Sequence, residues 1–217
     1  SGVVLPTGQA QFARLDSLLF TPSTKGVVSG LEGVPAFDDA PVTPAALTAH
    51  WRAFGLEKFE DLAACDRALR DAFHIIEHKL AQQGRLLVDT KFEFGYAPSP
   101  DGPQELIFMD EVATPDSSRI WLREDWLAGR PRELSKEFFR DALSKLVSDQ
   151  ALLFDSTRME ERRAMAAATR VPDQLFDDVS HIYRREAEVV CGASLVVPAN
   201  PREEILTVLS DELGLLS

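Results

Sequence analysis

The fold is decided by the stretch Leu87-Val88-Asp89-Thr90-Lys91-Phe92-Glu93-Phe94, where the spacing of apolar residues changes from helical to alternating. Asp89, Lys91 and Glu93 face one way along it and the residues between them face the other, because strand side chains alternate. A second apolar run, Leu106–Val112, follows a connection rich in proline and glycine. The two runs predict a β-hairpin with one charged face.

On both sides of this hairpin, apolar residues recur at the spacing of amphipathic helices. We predict helices over residues 44–54, 59–83, 135–147, 157–169, 172–192 and 205–213, and a short strand near residues 18–20. Helices before and after an antiparallel hairpin are typical of the α+β class and argue against a doubly wound parallel sheet. The expected architecture is an antiparallel hairpin or sheet packed with helices.

Composition and charge limit the possible partners. The chain has 217 residues, with 23 Lys and Arg against 35 Asp and Glu, a formal net charge of −12. Such a surface repels a phosphate backbone, so we expect no nucleic-acid partner, although a local basic pocket is compatible with a small anionic ligand. No stretch approaches the roughly 20 apolar residues of a membrane helix, so we expect no membrane partner. The two cysteines form no disulfide framework in a chain this long, which favours the cytoplasm.

Acidic residues concentrate around the predicted hairpin. Asp89 and Glu93 lie on its charged face, and Asp110, Glu111 and Asp116 follow at the end of the facing strand. Carboxylates placed this close together repel one another unless cations lie between them. Two carboxylates beside substrate phosphates are the usual protein contribution to a Mg²⁺ site. The pattern therefore predicts a magnesium site, with a solvated sheet surface as the alternative.

Cationic and hydroxyl side chains accompany these acids. Lys91 lies on the charged face itself, and Arg119 follows Ser117 and Ser118 in a turn-forming segment. An ammonium, a guanidinium and neighbouring hydroxyls are the groups that bind phosphate or carboxylate oxygens. We therefore predict ATP-dependent chemistry on an anionic substrate.

Longer motifs in these segments resemble those of a known family. Residues 89–95 are DTKFEFG, and residues 110–121 are DEVATPDSSRIW. This pair resembles the DTKFEFG and DEVLTPDSSRFW motifs of the SAICAR synthetase family of purine biosynthesis. FTPSTK at residues 20–25 and the helical segment 171–192 are also similar to that family, so the resemblance covers roughly residues 3–192.

The resemblance implies a fold, a reaction and a set of cofactors. The fold is the second subdomain of an ATP-grasp-related enzyme. The reaction joins a carboxyaminoimidazole ribonucleotide to L-aspartate through an acyl phosphate, with ATP and Mg²⁺ as cofactors, which makes the enzyme a carbon–nitrogen ligase. Because a carboxylate is a poor electrophile, phosphorylation supplies a leaving group, and the protein mainly neutralises charge and positions reactants.

The family's motifs also imply roles for individual residues of this chain. Glu93 and Asp110 are implied to hold the metal and its nucleotide. The implied catalytic residues are Lys91, Asp89 and Asp116. The residues implied to bind substrate are Arg119, Ser117, Ser118, Lys25, Asp38, Lys136 and Arg140.

The sequence also departs from the family. Phe37 stands where the family often has histidine, and Ser135 stands where it has aspartate. Residues 193–217 extend beyond the family pattern, so we expect a domain over residues 1–192 and an additional helical tail. The glycine-rich subdomain that covers ATP in the family has no counterpart in this sequence. We expect a preceding N-terminal subdomain or a homo-oligomer to complete the site.

Two alternatives follow from these departures. One is a paralogous ligase that joins another heterocyclic carboxylate to another amine. The other is a catalytically incomplete fragment that binds a nucleotide or a partner. Under the leading hypothesis, the isolated chain is expected to turn over ATP slowly, because water reaches the phosphates and screens the charges around them.

Overall fold

The computed structural model describes residues 7–99, 102–155 and 157–215. Within these ranges, helices combine with two small antiparallel sheets, which confirms the α+β class. The chain divides after Asp141 into two compact units. The domain over residues 1–192 that the sequence predicts has a different boundary, and it stays a prediction.

The first unit contains all the strands of the described residues. Its elements, in chain order, are α1 (Pro44–Ala49), α2 (Asp61–Ala81), β1 (Arg85–Thr90), β2 (Glu93–Ser99), β3 (Gly102–Met109), β4 (Ser118–Leu122), α3 (Arg123–Leu127) and the start of α4 (Lys136–Leu146). The first helix begins where predicted, because the Thr43 hydroxyl accepts a 3.1 Å hydrogen bond from the Ala46 N–H. It ends earlier than predicted, and residues 51–54 form a 3₁₀ turn closed by Gly55 at a φ of 84°.

The strands pair as two separate sheets. β1 pairs with β4, from Arg85 opposite Leu122 to Thr90 opposite Ser118, and β2 pairs with β3. Both pairs are antiparallel, and the β1–β4 register shifts between Leu87 and Asp89. The shift interrupts the simple alternation of faces that the sequence pattern predicts for this strand.

The single strand predicted over residues 87–94 is therefore wrong, because the chain changes partner after Lys91. The Lys91 N–H donates to the Ser117 carbonyl at 2.9 Å, beside the β1–β4 pair, whereas Glu93 begins the pairing with β3. The predicted hairpin is confirmed as β2 and β3. Residues 100 and 101 of its connection lie outside the described ranges.

The segment before α1 folds back on itself and on that helix. The Thr24 N–H donates to the Ala40 carbonyl at 2.9 Å, and the Ala40 N–H donates to the Thr24 hydroxyl at 3.0 Å. Buried Val42 packs with the apolar residues around it, namely Val34, Ala46, Leu31, Leu47 and Phe54. The strand expected near residues 18–20 is wrong, because those residues carry no strand pairing and this segment is held by its loop contacts instead.

Further buried apolar residues lie on α2, on β1 and β4, and just before α4, and α2 contacts β1. Leu80, Leu87, Ile120 and Leu134 are each at most 8% exposed. This packing fixes β1 and β4, the strands that carry Asp89 and Arg119 of the predicted site.

The second unit is helical in the part that the structure describes. It contains the rest of α4, then α5 (Gln150–Phe154), α6 (Met159–Ala168), α7 (Asp173–Cys191), α8 (Pro201–Thr207) and a π-helical turn over Val208–Glu212. The predicted helices over 157–169, 172–192 and 205–213 are confirmed with shifted ends. None of the helices among the described residues is long and apolar enough to cross a membrane.

Candidate functional site

Two lysines from distant parts of the sequence meet on one carboxylate. The Lys25 Nζ lies 2.7 Å from Oε2 and 2.9 Å from Oε1 of Glu93, and the Lys91 Nζ lies 2.6 Å from Oε1. The Glu93 side chain is 17% exposed, against 76% for Lys25 and 51% for Lys91. Hydrogen bonds from Lys25 and Lys91 lower the pKa of Glu93, and the same bonds raise the pKa of each lysine. All three groups are therefore charged at neutral pH.

Asp38 closes the loop that carries Lys25. Its Oδ1 accepts hydrogen bonds from the N–H of Gly26 at 2.8 Å and from the N–H of Asp39 at 3.0 Å. A single Asp38 oxygen thus holds the backbone at Gly26, the residue directly after Lys25. The family motif implies that Asp38 binds substrate. Its contact with substrate stays a prediction.

Asp110 directly follows β3, with a left-handed backbone at a φ of 63°. The negative charge of Asp110 also raises the pKa of Lys25 and of Lys91, although its effect is smaller than that of Glu93. The pairing of Glu93 with Met109 accounts for this proximity, because Asp110 is the next residue. The described residues contain no cluster of three or more His, Cys, Asp or Glu suited to a metal. A Mg²⁺ ion held by two carboxylates and substrate phosphates needs no third protein carboxylate.

Gly95 leaves space for the side chain of Met109, the residue directly before Asp110. A Cβ at Gly95 would lie 1.9 Å from the Sδ of Met109, so any larger residue would displace that side chain. Gly95 is the last residue of the DTKFEFG motif, and the sequence alone indicates no role for it. The structure gives a steric reason for glycine at that position.

The turn at residues 114–118 is held by its own hydroxyls. The Ser117 Oγ accepts from the Thr114 N–H at 3.1 Å, and the Thr114 Oγ1 accepts from the Ser117 N–H at 3.2 Å. Ser118 is 4% exposed, and its hydroxyl donates to the Thr90 Oγ1 at 2.9 Å. Ser117 stabilises the turn and Ser118 joins it to β1, and the predicted contacts of both serines with substrate stay predictions.

Arg119 lies between two carboxylates. Its guanidinium pairs with Asp89, opposite it in the β1–β4 sheet, and its Nη2 lies 3.4 Å from the Glu137 Oε1. The Nη1 of Arg140, one turn along α4, approaches the same Oε1 at 2.5 Å. Burial lowers the pKa of Arg119, but Asp89 and Glu137 outweigh burial and raise it overall. The structure thus brings together three predicted residues, Asp89, Arg119 and Arg140, with Glu137 among them.

Asp116 and Lys136 connect the turn to the start of α4. The Lys136 Nζ lies 3.9 Å from the Asp116 Oδ2, and the Lys136 N–H donates to the Pro115 carbonyl at 2.9 Å. Burial, followed by a hydrogen bond with Asp116, raises the pKa of the neighbouring Glu111. Two further predicted residues, Asp116 and Lys136, are therefore close together.

Sequence reasoning missed Glu133 and Glu137. Glu133 accepts a 2.6 Å hydrogen bond from the Trp121 Nε1 and a 3.1 Å bond from the Ser135 hydroxyl. Burial is the main cause that raises its pKa. The Ser135 Oγ accepts from the Glu137 N–H at 3.3 Å, which is a helix-start contact. In the sequence, a serine followed by an acidic residue indicates the start of a helix. That pattern does not indicate that the acidic residue contacts arginines.

Comparisons with known proteins agree with the motifs. The family model described as SAICAR synthetase matches residues 3–152, more than half of the chain. Phosphoribosylaminoimidazole-succinocarboxamide synthases of Shewanella sp. (strain MR-4) and Shewanella oneidensis are each 43% identical over 215 residues. The chain therefore belongs to the SAICAR synthetase family, which confirms the resemblance.

These alignments also define how much of a relative the chain represents. They cover 99% of this chain and 59% of each Shewanella protein, so the chain spans about 59% of the length of the curated relatives it matches. They include most of the segment after residue 192. A crystal structure of phosphoribosylaminoimidazole-succinocarboxamide synthase from Ehrlichia chaffeensis is 19% identical, with a TM-score of 0.42 over 74% of this chain and 47% of that one.

Proposed function

We propose that this chain forms part of the catalytic site of an ATP-dependent ligase that joins a carboxyaminoimidazole ribonucleotide to L-aspartate. The proposal includes an ATP-grasp-related fold, with ATP and Mg²⁺ as cofactors. It rests chiefly on one observation, the convergence of Lys25 and Lys91 on Glu93, in which Lys25 and Glu93 are 68 residues apart in the sequence. Family membership and the names of the relatives supply the reaction.

The donor groups of this cluster suit a nucleotide with its metal. Glu93 and Asp110 offer hard carboxylate oxygens, and they would hold Mg²⁺. Lys25 and Lys91 are exposed enough to reach phosphate oxygens once the metal takes their place on Glu93. Bound ATP supplies the phosphoryl group and bound Mg²⁺ supplies the positive charge that offsets its oxygens.

The remaining residues would bind and orient the other reactants. Arg119 and Arg140 offer planar guanidinium groups, which suit a phosphate or carboxylate of the ribonucleotide. Asp89 would hold Arg119 in place, and Asp116 would orient a substrate group from the turn that precedes Arg119. Lys91 would neutralise negative charge where the substrate carboxylate is activated.

The test is phosphate release by the 217-residue chain with ATP, Mg²⁺, L-aspartate and the carboxyaminoimidazole ribonucleotide. We expect release to require both the ribonucleotide and L-aspartate, because the phosphoryl group passes to the ribonucleotide and the amine completes the turnover. Dependence on the substrates is the readout, whatever the rate. Phosphate release that is unchanged when the ribonucleotide is omitted would contradict the proposal.

A paralogous ligase and a fragment that only binds a nucleotide or partner gain no support from the comparisons. Replacing the ribonucleotide or L-aspartate with other heterocyclic carboxylates and amines in the same assay tests the first of these. Equilibrium binding of ATP without any substrate-dependent phosphate release would favour the second.

A further inference from the structure

Glu137 contacts both arginines that the proposed function assigns to anion binding. Its Oε1 lies 3.4 Å from the Arg119 Nη2 and 2.5 Å from the Arg140 Nη1. Arg119 comes from β4 and Arg140 from the next turn of α4. A single carboxylate oxygen therefore joins guanidinium groups from two different elements.

The Glu137 side chain is less exposed to solvent than the two arginine side chains that it contacts. The Glu137 side chain is 19% exposed, whereas Arg119 is 42% and Arg140 is 48% exposed. Both arginine side chains are thus more open to solvent than the carboxylate that they share. Two like charges this close repel each other, and the shared carboxylate offsets that repulsion.

The backbone around Glu137 is fixed by contacts that do not involve the arginines. Its N–H donates to the Ser135 hydroxyl at 3.3 Å, and Ser135 is 2% exposed. The neighbouring Lys136 N–H donates to the Pro115 carbonyl at 2.9 Å. The backbone that carries Glu137 is therefore anchored, through Lys136, to the same turn that leads into Arg119.

We infer that Glu137 is a positioning residue that holds Arg119 and Arg140 together as one clamp for a phosphate or carboxylate group of the substrate. This inference rests on the proposed function and names a residue that the family motif did not supply. Each guanidinium has five N–H donors in a fixed fork, so contacts with Glu137 leave other donors for an anion. A planar clamp of this kind requires the two forks to keep a defined separation.

The direction in which Glu137→Gln changes anion binding distinguishes a positioning role from electrostatic repulsion of the anion by Glu137. Glu137 is negative, so a purely electrostatic account predicts that Glu137→Gln tightens the binding of an anion. The positioning account predicts weaker binding, because the arginines move apart when the bridging charge is lost. We expect binding about tenfold weaker for Glu137→Gln, comparable to the loss of one charge-assisted hydrogen bond, and weaker still for Glu137→Ala.

The experiment is isothermal titration of the 217-residue chain with ribose 5-phosphate and, separately, with L-aspartate, which distinguishes a phosphate from a carboxylate ligand. The matched control is Glu160→Gln, which removes another Glu–Arg pair three residues apart on a helix, with Arg163 at 2.7 Å, and changes the net charge equally. Circular dichroism melting of each variant verifies folding. If Glu137→Gln fails to fold, Arg140→Lys replaces it, because lysine keeps the charge but loses the fork.

Weaker binding of either probe by Glu137→Gln or Arg140→Lys, with Glu160→Gln unchanged, supports the clamp and identifies its ligand. Equal or tighter binding by Glu137→Gln overturns it, and so does a wild-type chain that binds neither probe. A chain that shows the clamp but no substrate-dependent phosphate release would contradict the proposed ligase and leave the clamp standing.

Discussion

The Tyr96 hydroxyl donates a 2.6 Å hydrogen bond to the Asp61 Oδ2, which ties the β2–β3 hairpin to the first residue of α2. The same hydroxyl accepts a 2.9 Å bond from the Glu57 N–H, and Asp61 also accepts from the Lys58 N–H at 3.2 Å. Tyr96 is three residues after Glu93 on the same strand. The contact therefore fixes the strand that carries the predicted metal ligand.

Tyr96→Phe should lower the free energy of unfolding by about 1–2 kcal/mol, because a charged acceptor and a backbone donor both lose a partner. Urea denaturation measures this change. A double-mutant cycle with Asp61→Asn isolates the pair, and we expect a coupling energy of at least about 0.5 kcal/mol. Strictly additive effects of the two substitutions would show that the contact contributes nothing.

The same contact predicts a pH dependence. Burial, followed by the hydrogen bond to Asp61, raises the pKa of Tyr96. A raised pKa means that the folded state favours the protonated phenol, so its stabilisation is complete below the ordinary tyrosine pKa of about 10 and is lost as pH rises further. The stability difference between the wild type and Tyr96→Phe should therefore shrink above about pH 10. A constant difference across that range would contradict this assignment.

Glu93→Gln should abolish binding of ATP with Mg²⁺, because an amide is a far weaker magnesium ligand than a carboxylate. The fold should persist with a small loss of stability, because Lys25 and Lys91 lose the charge between them but remain largely solvated. Titration with Mg²⁺–ATP and a thermal melt measure the two effects. The matched control is Glu105→Gln on β3 of the same hairpin, where the Glu105 Oε1 accepts a 3.1 Å hydrogen bond from the Ser99 hydroxyl.

Undiminished binding of Mg²⁺–ATP by Glu93→Gln would show that the metal assignment is wrong. The structure also changes the expected cost of this substitution. The sequence pattern placed Glu93 among carboxylates that repel one another, whereas Glu93 in the structure offsets two ammonium groups.

Arg119→Lys should raise the KM for the carboxyaminoimidazole ribonucleotide by about 10- to 100-fold, because the planar fork between Asp89 and Glu137 is lost. Lysine keeps the positive charge, so a smaller effect on kcat is expected if the residue binds the substrate in the ground state. Steady-state kinetics separate the two constants. Arg132→Lys is a suitable control, because Arg132 also pairs with an aspartate, Asp125 at 3.2 Å. An unchanged KM would exclude a direct contact with the substrate.

The helices were the most predictable part of the fold, because their apolar residues recur along one continuous segment. The helix predicted over residues 59–83 is observed at Asp61–Ala81. Strand pairing was less predictable, since alternation specifies a face but not a partner. Residues 88–94 alternate between the two faces, yet Asp89 and Thr90 pair with β4, whereas Glu93 and Phe94 pair with β3.

The candidate site shows the same limit. Residue types and motifs indicated Lys25 and Glu93, but only the fold shows that they touch across 68 residues of sequence. Glu133 and Glu137 were missed because acidic residues at a helix start ordinarily face solvent and stabilise the helix N-terminus. Their contacts with Trp121 and Arg119 depend on the approach of β4 to the start of α4, which no local pattern encodes.

Glu133 offers a further test of that missed region. It accepts hydrogen bonds from the Trp121 Nε1 at 2.6 Å and from the Ser135 hydroxyl at 3.1 Å. Burial is the main cause of its raised pKa; the two hydrogen bonds and Arg119 act in the opposite direction, and Glu137 adds to the rise. The folded state therefore favours the protonated carboxyl more than the unfolded state does.

The sign of the pH effect follows from this shift. A raised pKa stabilises the fold fully below the ordinary glutamate pKa of about 4.3, and that contribution is lost as pH rises through the folded-state value. Glutamine keeps an oxygen for the Trp121 N–H but never ionises. The free energy of unfolding of Glu133→Gln should therefore rise relative to the wild type between about pH 4 and pH 7. Urea denaturation of both proteins across this range measures the difference. A difference that stays flat, or that changes in favour of the wild type as pH rises, would show that the hydrogen bonds from Trp121 and Ser135 outweigh the cost of burying the charged carboxylate.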